Sequence, residues 1–159
     1  KNMPKYRLLT QDELNELEQE FINYLVVNGI TAEDWEDIKK NKQERAEEVL
    51  ALFSDVIFEG VMRKIKFLDN KSPQSLKSFQ CLADKIVLVG LDVSNPINLL
   101  DVKEFQQILD QSPSDVKVYN TEKKYSKTRE LELFDMIDKG CEISDGILFK
   151  NLCLVLPNN

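Results

Sequence analysis

The spacing of apolar and polar residues predicts helices at the start of the chain. Apolar residues recur three and four positions apart after Thr10, which places them on one face of an α-helix. Thr10 and Glu13 have the spacing of a capping box, in which each side chain bonds the backbone N–H of the other residue. We therefore expect one helix from this box to about Asn28, ended by Gly29.

Two further helices are expected before residue 62. Thr31 and Asp34 repeat the capping pattern and predict a short helix that ends near residues 40–42. A third helix, from about Gln43, carries the longest apolar stripe of the chain, and we expect this stripe to be buried. The members of the stripe are Ala46, Val49, Leu50, Phe53, Val56, Ile57 and Val61.

The pattern changes after Gly60 to the alternation typical of β-strands. Residues 64–67 and 75–82 alternate polar and apolar positions on either side of a turn at residues 72–73. Residues 86–91 are apolar at both parities, which is typical of a strand buried on both faces. We expect an antiparallel meander with this last strand at its centre.

Helices and strands alternate in the following residues. Asp101 is expected to cap a short helix that ends at residues 112–113, and residues 116–119 predict a strand. Another helix is expected to open at Ser126 and to end at Gly140, where a left-handed residue is favoured. Both helices carry apolar residues at helical spacing.

The end of the chain is expected to be a β-hairpin. Asp145 and Gly146 suit its two-residue turn, which would join residues 141–144 to a strand at residues 147–155. The fold class is therefore α+β: an N-terminal helical segment packed on an antiparallel sheet of about five strands, with additional helices.

A single domain is expected over residues 1–159, mainly helical over residues 1–62 and mixed over residues 63–159. The 159 residues are 42% hydrophobic and 31% charged, which is ordinary for a soluble globular domain. No apolar run approaches the roughly 18 residues of a membrane span, and no secretory signal is visible. We expect a cytoplasmic protein without a membrane partner.

The charge of the chain is negative and unevenly distributed. The net charge is −7, and residues 10–59 hold 14 acidic residues against 4 basic ones. Because phosphate backbones are bound mainly by lysine and arginine, this charge argues against a nucleic-acid partner. The acidic region is expected to be a solvated helix surface or, in the alternative, a surface that docks a basic partner.

The chain lacks the residues that most often perform catalysis or bind metals. It contains no histidine, and its three cysteines, Cys81, Cys141 and Cys153, form no Cys-x-x-Cys pair. We expect these cysteines to be reduced and buried as small hydrophobic residues. No catalytic residue, metal site or cofactor is predicted, which favours a non-enzymatic protein over an enzyme.

One basic segment is the candidate binding site. Residues 117–129 contain five bases and one acid, and they lead into a helix N-terminus, where backbone N–H groups favour anions. The candidate ligand-binding residues are Lys117, Tyr119, Lys123, Lys124, Tyr125, Ser126, Lys127 and Arg129. A phosphate or carboxylate ligand is one interpretation of this segment, and a solvated lysine-rich loop is the other.

Other charged groups are assigned structural roles. A second basic stretch is expected to protect an edge strand from aggregation; it consists of Arg63, Lys64, Lys66, Lys71 and Lys77. Acid pairs such as Glu132 and Asp135 are expected on the outside of helices. Asp92 follows the most apolar strand and is expected to make a turn, with a functional group at the strand end as the alternative.

Three stretches of the chain carry a resemblance to a known family. They are residues 6–10 (Tyr-Arg-Leu-Leu-Thr), residues 21–35 (from Phe21 to Trp35) and residues 53–58 (Phe-Ser-Asp-Val-Ile-Phe). The chain resembles, along most of its length, a family of small uncharacterised bacterial proteins found mainly in the Bacteroidetes. This resemblance implies a bacterial cytoplasmic protein, and it brings no activity, cofactor or catalytic residue.

Two functional hypotheses follow from these observations. The first is a non-enzymatic interaction or regulatory module that binds a protein partner or a second copy of itself, because acidic and basic regions are separated along the chain. The alternative is a small anionic-ligand or phosphate-binding protein that uses residues 117–129.

Overall fold

The computed structural model describes residues 3–111 and 116–157. Within these ranges the chain has seven helices and a five-stranded antiparallel sheet, which confirms the predicted α+β class. Two compact units are present, one ending at Val61 and the other beginning at Met62. This division falls beside the predicted change from helical to mixed structure, while the single-domain assignment stays a prediction.

Four helices begin in the first unit. They are α1 (Gln11–Glu16), α2 (Glu18–Val27), α3 (Ala32–Asn41) and α4 (Gln43–Lys64). The two capping boxes are confirmed: Thr10 and Glu13 start α1, and Thr31 and Asp34 start α3, each pair exchanging hydrogen bonds of 2.8–3.2 Å. A helix ends before Gly29, whose φ of +71° is left-handed, as the sequence predicts.

The expectation of one helix between Thr10 and Asn28 is wrong in one respect. The helix breaks at Leu17, where φ is −103° and ψ is 23°. The Leu17 N–H is shared between the carbonyls of Glu13 and Leu14, both at 3.1 Å, which tightens the last turn of α1. Two helices with similar apolar spacing therefore replace the single one.

The core of the first unit contains only part of the predicted stripe of α4. Val49 and Phe53 are buried, whereas Val56 and Val61 are exposed. Ser54, a polar residue outside the stripe, is buried instead. Its hydroxyl accepts a hydrogen bond from the Leu9 N–H at 3.0 Å and donates one within the helix, so both of its polar functions are satisfied.

The second unit is built on the sheet. Its strands are β1 (Phe67–Ser72), β2 (Ser75–Cys81), β3 (Lys85–Asp92), β4 (Lys117–Lys124) and β5 (Glu142–Ser144), and they lie in the order β4-β3-β2-β1-β5. The predicted meander is confirmed in β1, β2 and β3, but β2 occupies the centre of the sheet. The strand expected at residues 64–67 starts only at Phe67, because α4 continues to Lys64.

Three helices belong to the second unit: α5 (Val102–Gln111), α6 (Arg129–Asp138) and α7 (Ile147–Leu154). Asp101 caps α5 as predicted, since its carboxylate accepts the N–H groups of Lys103 and Glu104. The predicted end of α5 at residues 112–113 lies outside the described residues.

The predicted hairpin at the end of the chain is wrong. Gly146 has the left-handed φ of +92° that a turn requires, but residues 147–154 form the helix α7, and β5 pairs with β1. Leu148, Leu152 and Leu156 recur every four residues and pack into one core, which is a helical period. A short apolar run does not distinguish a strand from a buried helix by composition.

One face of the sheet packs against α5 and α7. Leu76, Val89 and Leu91 on this face form a buried cluster with Ile108 of α5 and Leu152 of α7. This cluster holds the two helices beside each other over β2 and β3. The position of these helices determines the shape of the cleft described below.

The cysteines differ from one another in exposure. Cys81 and Cys141 are buried as expected, but Cys153 is exposed, so the prediction is wrong for Cys153. Burial raises the pKa of the Cys81 thiol to about 11.

Among the helices of the described ranges, none combines the length and the apolarity that crossing a membrane requires.

Candidate functional site

The predicted basic segment covers a strand, a turn and the first residue of a helix in the second unit. Lys117, Tyr119, Lys123 and Lys124 lie on the edge strand β4, and Arg129 is the first residue of α6. The turn between these elements contains Tyr125, Ser126 and Lys127. The segment is therefore largely a strand and not a loop.

A carboxylate of α6 occupies the position where an external anion was expected. Glu132 is buried, and its Oε1 accepts hydrogen bonds from the Ser126 N–H at 2.6 Å and the Ser126 hydroxyl at 3.0 Å. Its Oε2 lies 2.6 Å from Lys123 Nζ. Burial alone would raise the pKa of Glu132, but the contacts from Lys123 and Ser126 outweigh it and hold the pKa below its usual value. The expectation that Glu132 faces water is wrong.

Arg129 points into the protein and binds backbone. Its guanidinium donates hydrogen bonds of 3.1 Å to the carbonyls of Met62, Cys81 and Leu82, and a further one to the carbonyl of Ile65. Its side chain is about 15% exposed and also pairs with Glu130. Arg129 thus donates charge-assisted hydrogen bonds to backbone carbonyls near the ends of α4 and β2.

Tyr125 is likewise directed inward. Its hydroxyl donates a hydrogen bond of 2.6 Å to the carbonyl of Leu82, one of the carbonyls that Arg129 also binds. Burial raises the pKa of Tyr125 to about 12. Tyr125 and Arg129 therefore act together as a structural anchor.

The remaining lysines of the segment do not converge. Lys127 pairs with Asp135, and Lys117 lies over the ring of Tyr119 at 5.7 Å. Lys124 has no ion pair or hydrogen-bond partner among residues 3–111 and 116–157. The eight predicted site residues are thus divided between internal contacts and separate positions at the surface.

The second basic stretch lies only in part on the sheet. Arg63 and Lys64 belong to α4, and Lys77 lies on the inner strand β2. Lys71 lies on β1 beyond the residues that pair with β5, so among the described strands this part of β1 has a neighbour on one side, and its role in edge protection stays a prediction. The long edge strand is β4, whose Lys117, Lys123 and Lys124 supply the charge that discourages edge pairing.

Asp92 makes local contacts at the end of β3. Its carboxylate accepts a hydrogen bond of 2.8 Å from the Ser75 hydroxyl of the neighbouring strand. Tyr119 packs across Gly90, where a Cβ atom would lie only 2.3 Å from the ring. Burial raises the pKa of Tyr119, and the negative charge of Asp92 raises it further.

A cleft of about 440 Å³ opens on the face of the sheet that α5 and α7 cover. Its floor is formed by Asp69 and Lys71 of β1 and Leu76 of β2. One wall is formed by α5 and the turn before it, and it contains Leu99, Leu100, Val102 and Phe105. The other wall is formed by α7 and the loop before it, and it contains Asp145, Ile147, Leu148 and Asn151. We call this feature the α5/α7 cleft.

The rim of the α5/α7 cleft is apolar and exposed. Leu100 is 51% exposed, Val102 81% and Ile147 62%. Single exposed aliphatic residues are common on protein surfaces, but three around one concavity form a patch. The cleft therefore combines apolar contact area with charged groups at its floor.

Asp69 is the acidic residue at the floor of the α5/α7 cleft, and it is only 5% exposed. Its Oδ1 accepts a hydrogen bond of 2.6 Å from the hydroxyl of Ser78, the residue opposite it on β2. Within the part of the chain that the structure describes, no cation lies within ion-pair distance of this carboxylate. A buried carboxylate without a counter-ion is costly unless something else neutralises it.

Neither Asp69 nor the rim residues stand out in the sequence as candidate site residues. Asp69 stands beside Asn70, and this pair is typical of a turn, which hid its place inside a strand. The rim residues come together from α5 and α7, which are far apart in the sequence. Among the described residues, no three histidine, cysteine, aspartate or glutamate side chains are placed to hold a metal ion.

The fold and the cleft define an α+β protein with a five-stranded antiparallel sheet and a cleft on one of its faces. The chain belongs to the family of unknown function DUF6495, whose model matches residues 3–156. This match confirms the predicted resemblance to an uncharacterised family. Comparison with curated proteins and with solved structures finds no match.

Proposed function

We propose that this protein is a non-enzymatic interaction module that binds a protein partner through the α5/α7 cleft. The observation that carries the proposal is the exposed rim formed by Leu100, Val102 and Ile147. Aliphatic side chains clustered at a concave surface favour a partner, because burying them on binding removes apolar area from water. The partner's own apolar side chains would enter the cleft between these three residues.

The charges of the chain favour a basic partner. The α5/α7 cleft contains two carboxylates, Asp69 and Asp145, and one base, Lys71. Complementary charge steers the encounter and discriminates against acidic competitors.

A bacterial cytoplasm is the setting we propose for this interaction. The proposal rests on the resemblance described above and on three cysteines that form no disulfide, which suits a reducing compartment. A regulatory role would follow if binding to the cleft competes with another contact of the partner.

The alternative function, binding of a small anion by residues 117–129, receives less support. The N–H and hydroxyl of Ser126 already bind Glu132, and Lys123 binds the same carboxylate. An external anion would have to displace an internal one that is held at short distances. Among the described residues, the Lys124 side chain is a cation of this segment without an ion pair that such a ligand could bind.

The proposal is tested by capture from a lysate of the cells in which the protein occurs, with wild-type protein and two variants immobilised. Val102→Glu places a charge at the exposed rim, and Val27→Glu makes the same change at an 84% exposed position of α2. We expect a protein identified by mass spectrometry to bind wild type and Val27→Glu and to be lost with Val102→Glu. Equal capture by all three proteins would contradict the proposal.

Self-association is the competing outcome. Sedimentation velocity of the wild-type protein over a range of concentrations separates the two cases. A dimer that dissociates in Val102→Glu but not in Val27→Glu would assign the cleft to a second copy of the chain and would overturn the proposal of a different partner.

A further inference from the structure

We infer that Asp69 makes the α5/α7 cleft a receptor for a lysine side chain of the partner, with the carboxylate as counter-ion of the ammonium group. This inference rests on the proposed function, and it names the chemical group that the cleft selects. The observation behind it is a buried carboxylate that forms part of a cleft and has no cation within ion-pair distance among residues 3–111 and 116–157.

The surroundings of Asp69 place its negative charge where a ligand can reach it. The carboxylate lies on the same face of β1 as Lys71, beside Ser78 of β2, and it lines the cleft with Asn151 of α7. The Ser78 hydroxyl satisfies Oδ1 and is itself fully buried. An incoming donor can therefore bind the carboxylate without breaking an ion pair of the protein.

An ammonium group matches this carboxylate better than a guanidinium does. Arginine binds carboxylates best through two parallel hydrogen bonds, one to each oxygen. In this protein Oδ1 of Asp69 already accepts a hydrogen bond from Ser78, and the side chain is only 5% exposed, which restricts a donor that must reach both oxygens. A lysine ammonium is a compact charge that needs only the remaining oxygen, and the amide of Asn151 is a second polar group on the wall.

The walls of the cleft suit the aliphatic part of a lysine. Leu76 on the floor and Leu99 on the wall are almost completely buried, and Leu148 faces them from α7. A volume of about 440 Å³ is larger than one side chain, so apolar neighbours of the lysine can contact the exposed rim. A lysine flanked by leucines is therefore the segment that we expect to fit.

Lys71 allows a second test of how charge in the cleft affects the affinity for a cationic ligand. It lines the same cleft two residues from Asp69, but it forms no ion pair with this carboxylate within the described residues. Its positive charge opposes the entry of another cation. Lys71→Gln should therefore bind a cationic ligand more tightly than wild type.

The experiment is an NMR titration of the full ¹⁵N-labelled chain with two peptides. The first is acetyl-Leu-Lys-Leu-amide, and the second has norleucine in place of lysine, which keeps the aliphatic chain and removes the ammonium. Chemical-shift changes are followed at the amides of Lys71, Leu76 and Ile147. We expect the lysine peptide to bind about fivefold more tightly, the effect of one favourable partly buried ion pair.

The variant Asp69→Asn separates charge from packing. The asparagine keeps an oxygen for the Ser78 hydroxyl, so the fold is retained while the charge is lost. The lysine peptide should then bind no better than the norleucine peptide. Asp92→Asn is the matched control, because Asp92 also accepts from a serine hydroxyl on this sheet but does not line the cleft. It should preserve the fivefold preference.

The outcomes distinguish this inference from the proposed function. If both peptides shift the cleft amides equally in wild type and in Asp69→Asn, the counter-ion role is wrong, while a cleft that binds apolar segments stands. If neither peptide shifts these amides, the inference is overturned, and capture with Val102→Glu decides separately on the proposed function. If n-hexylammonium binds more tightly than the lysine peptide, the ligand is a free amine and the assignment to a partner's lysine is overturned.

Discussion

Arg129 organises the backbone of the second unit through its hydrogen bonds to four carbonyl groups. Charge-assisted bonds of this kind are stronger than neutral ones, and a carbonyl left unpaired in the interior is costly. A side chain that appears in the sequence as part of a basic surface thus has a structural role. The same holds for Lys123, whose ammonium lies against a buried carboxylate.

We expect Arg129→Met to lower the free energy of unfolding by about 2–4 kcal/mol, because four backbone carbonyls lose a charged donor; the carbonyls of Leu82 and Met62 keep a neutral donor, from the Tyr125 hydroxyl and the Ile65 N–H. Lys124→Met is the matched control, since it removes a cation that has no partner in the described ranges and should change stability by less than about 0.5 kcal/mol. Both values are measured by urea unfolding followed by circular dichroism. A similar small effect of the two changes would contradict the anchor role of Arg129.

Glu132 should make stability depend on pH. Its pKa in the folded protein is held below the usual value of 4.5, so its carboxylate stabilises the fold fully above 4.5 and loses this effect as the pH falls through the folded pKa. The difference in unfolding free energy between wild type and Glu132→Gln should therefore be largest near about pH 7 and shrink toward about pH 3. Urea unfolding across this range measures it.

The ion pair between Lys123 and Glu132 provides a control for this predicted pH dependence. In a Lys123→Met background the carboxylate loses its cation, so the difference between glutamate and glutamine at position 132 should become smaller at neutral pH. A difference that is independent of pH in both backgrounds would show that Glu132 stabilises the fold without its charge.

At the scale of elements, the last helix is the one whose type the sequence pattern does not reveal. In a strand, Leu152 and Leu154 would point to the same side, because side chains alternate with a period of two. In α7 they point to different sides: Leu152 is fully buried and Leu154 is 76% exposed. The two leucines therefore distinguish helix from strand in solution.

Leu152→Ala should destabilise the protein by about 2–5 kcal/mol, whereas Leu154→Ala should cost less than about 0.5 kcal/mol. The midpoints of urea unfolding of the two variants give the comparison. A strand at this position would make the two losses similar, and that result would contradict the helix α7.

Elements with strong local signals were predicted well. Both capping boxes, the left-handed Gly29 and the inner strands β2 and β3 follow from short sequence patterns that act within a few residues. The break at Leu17 was not predictable in this way. Its apolar spacing continues on both sides, and only the sharing of one N–H between two carbonyls ends the helix.

At the scale of the whole molecule, the buried thiols report on the integrity of the second unit. Cys81 and Cys141 lie in its interior, and Cys153 is exposed on α7. Burial raises the pKa of all three thiols, that of Cys81 to about 11, so the interior thiols are both inaccessible and protonated at neutral pH.

Of the three cysteines, we expect Cys153 alone to react readily with Ellman's reagent in the native protein and all three to react in guanidinium chloride. The absorbance of the released thionitrobenzoate gives the number of reactive thiols in the native protein and in guanidinium chloride. Replacement of Cys153 by serine should abolish the native reaction without changing stability, since this side chain is exposed. Rapid reaction of a second thiol in the native state would contradict the closed core around β2 and β5.

Local patterns in the sequence were sufficient for the α+β class, most helix starts and the central meander, because capping and periodicity depend on neighbours along the chain. These local patterns did not predict the position or the charges of the α5/α7 cleft. Whether Arg129 faces water or a set of carbonyls, and whether Asp69 has a counter-ion, depends on residues up to 67 positions away. Long-range packing alone brings α5 and α7 together over β2 and β3, and it therefore decides where the cleft lies and which charges it contains.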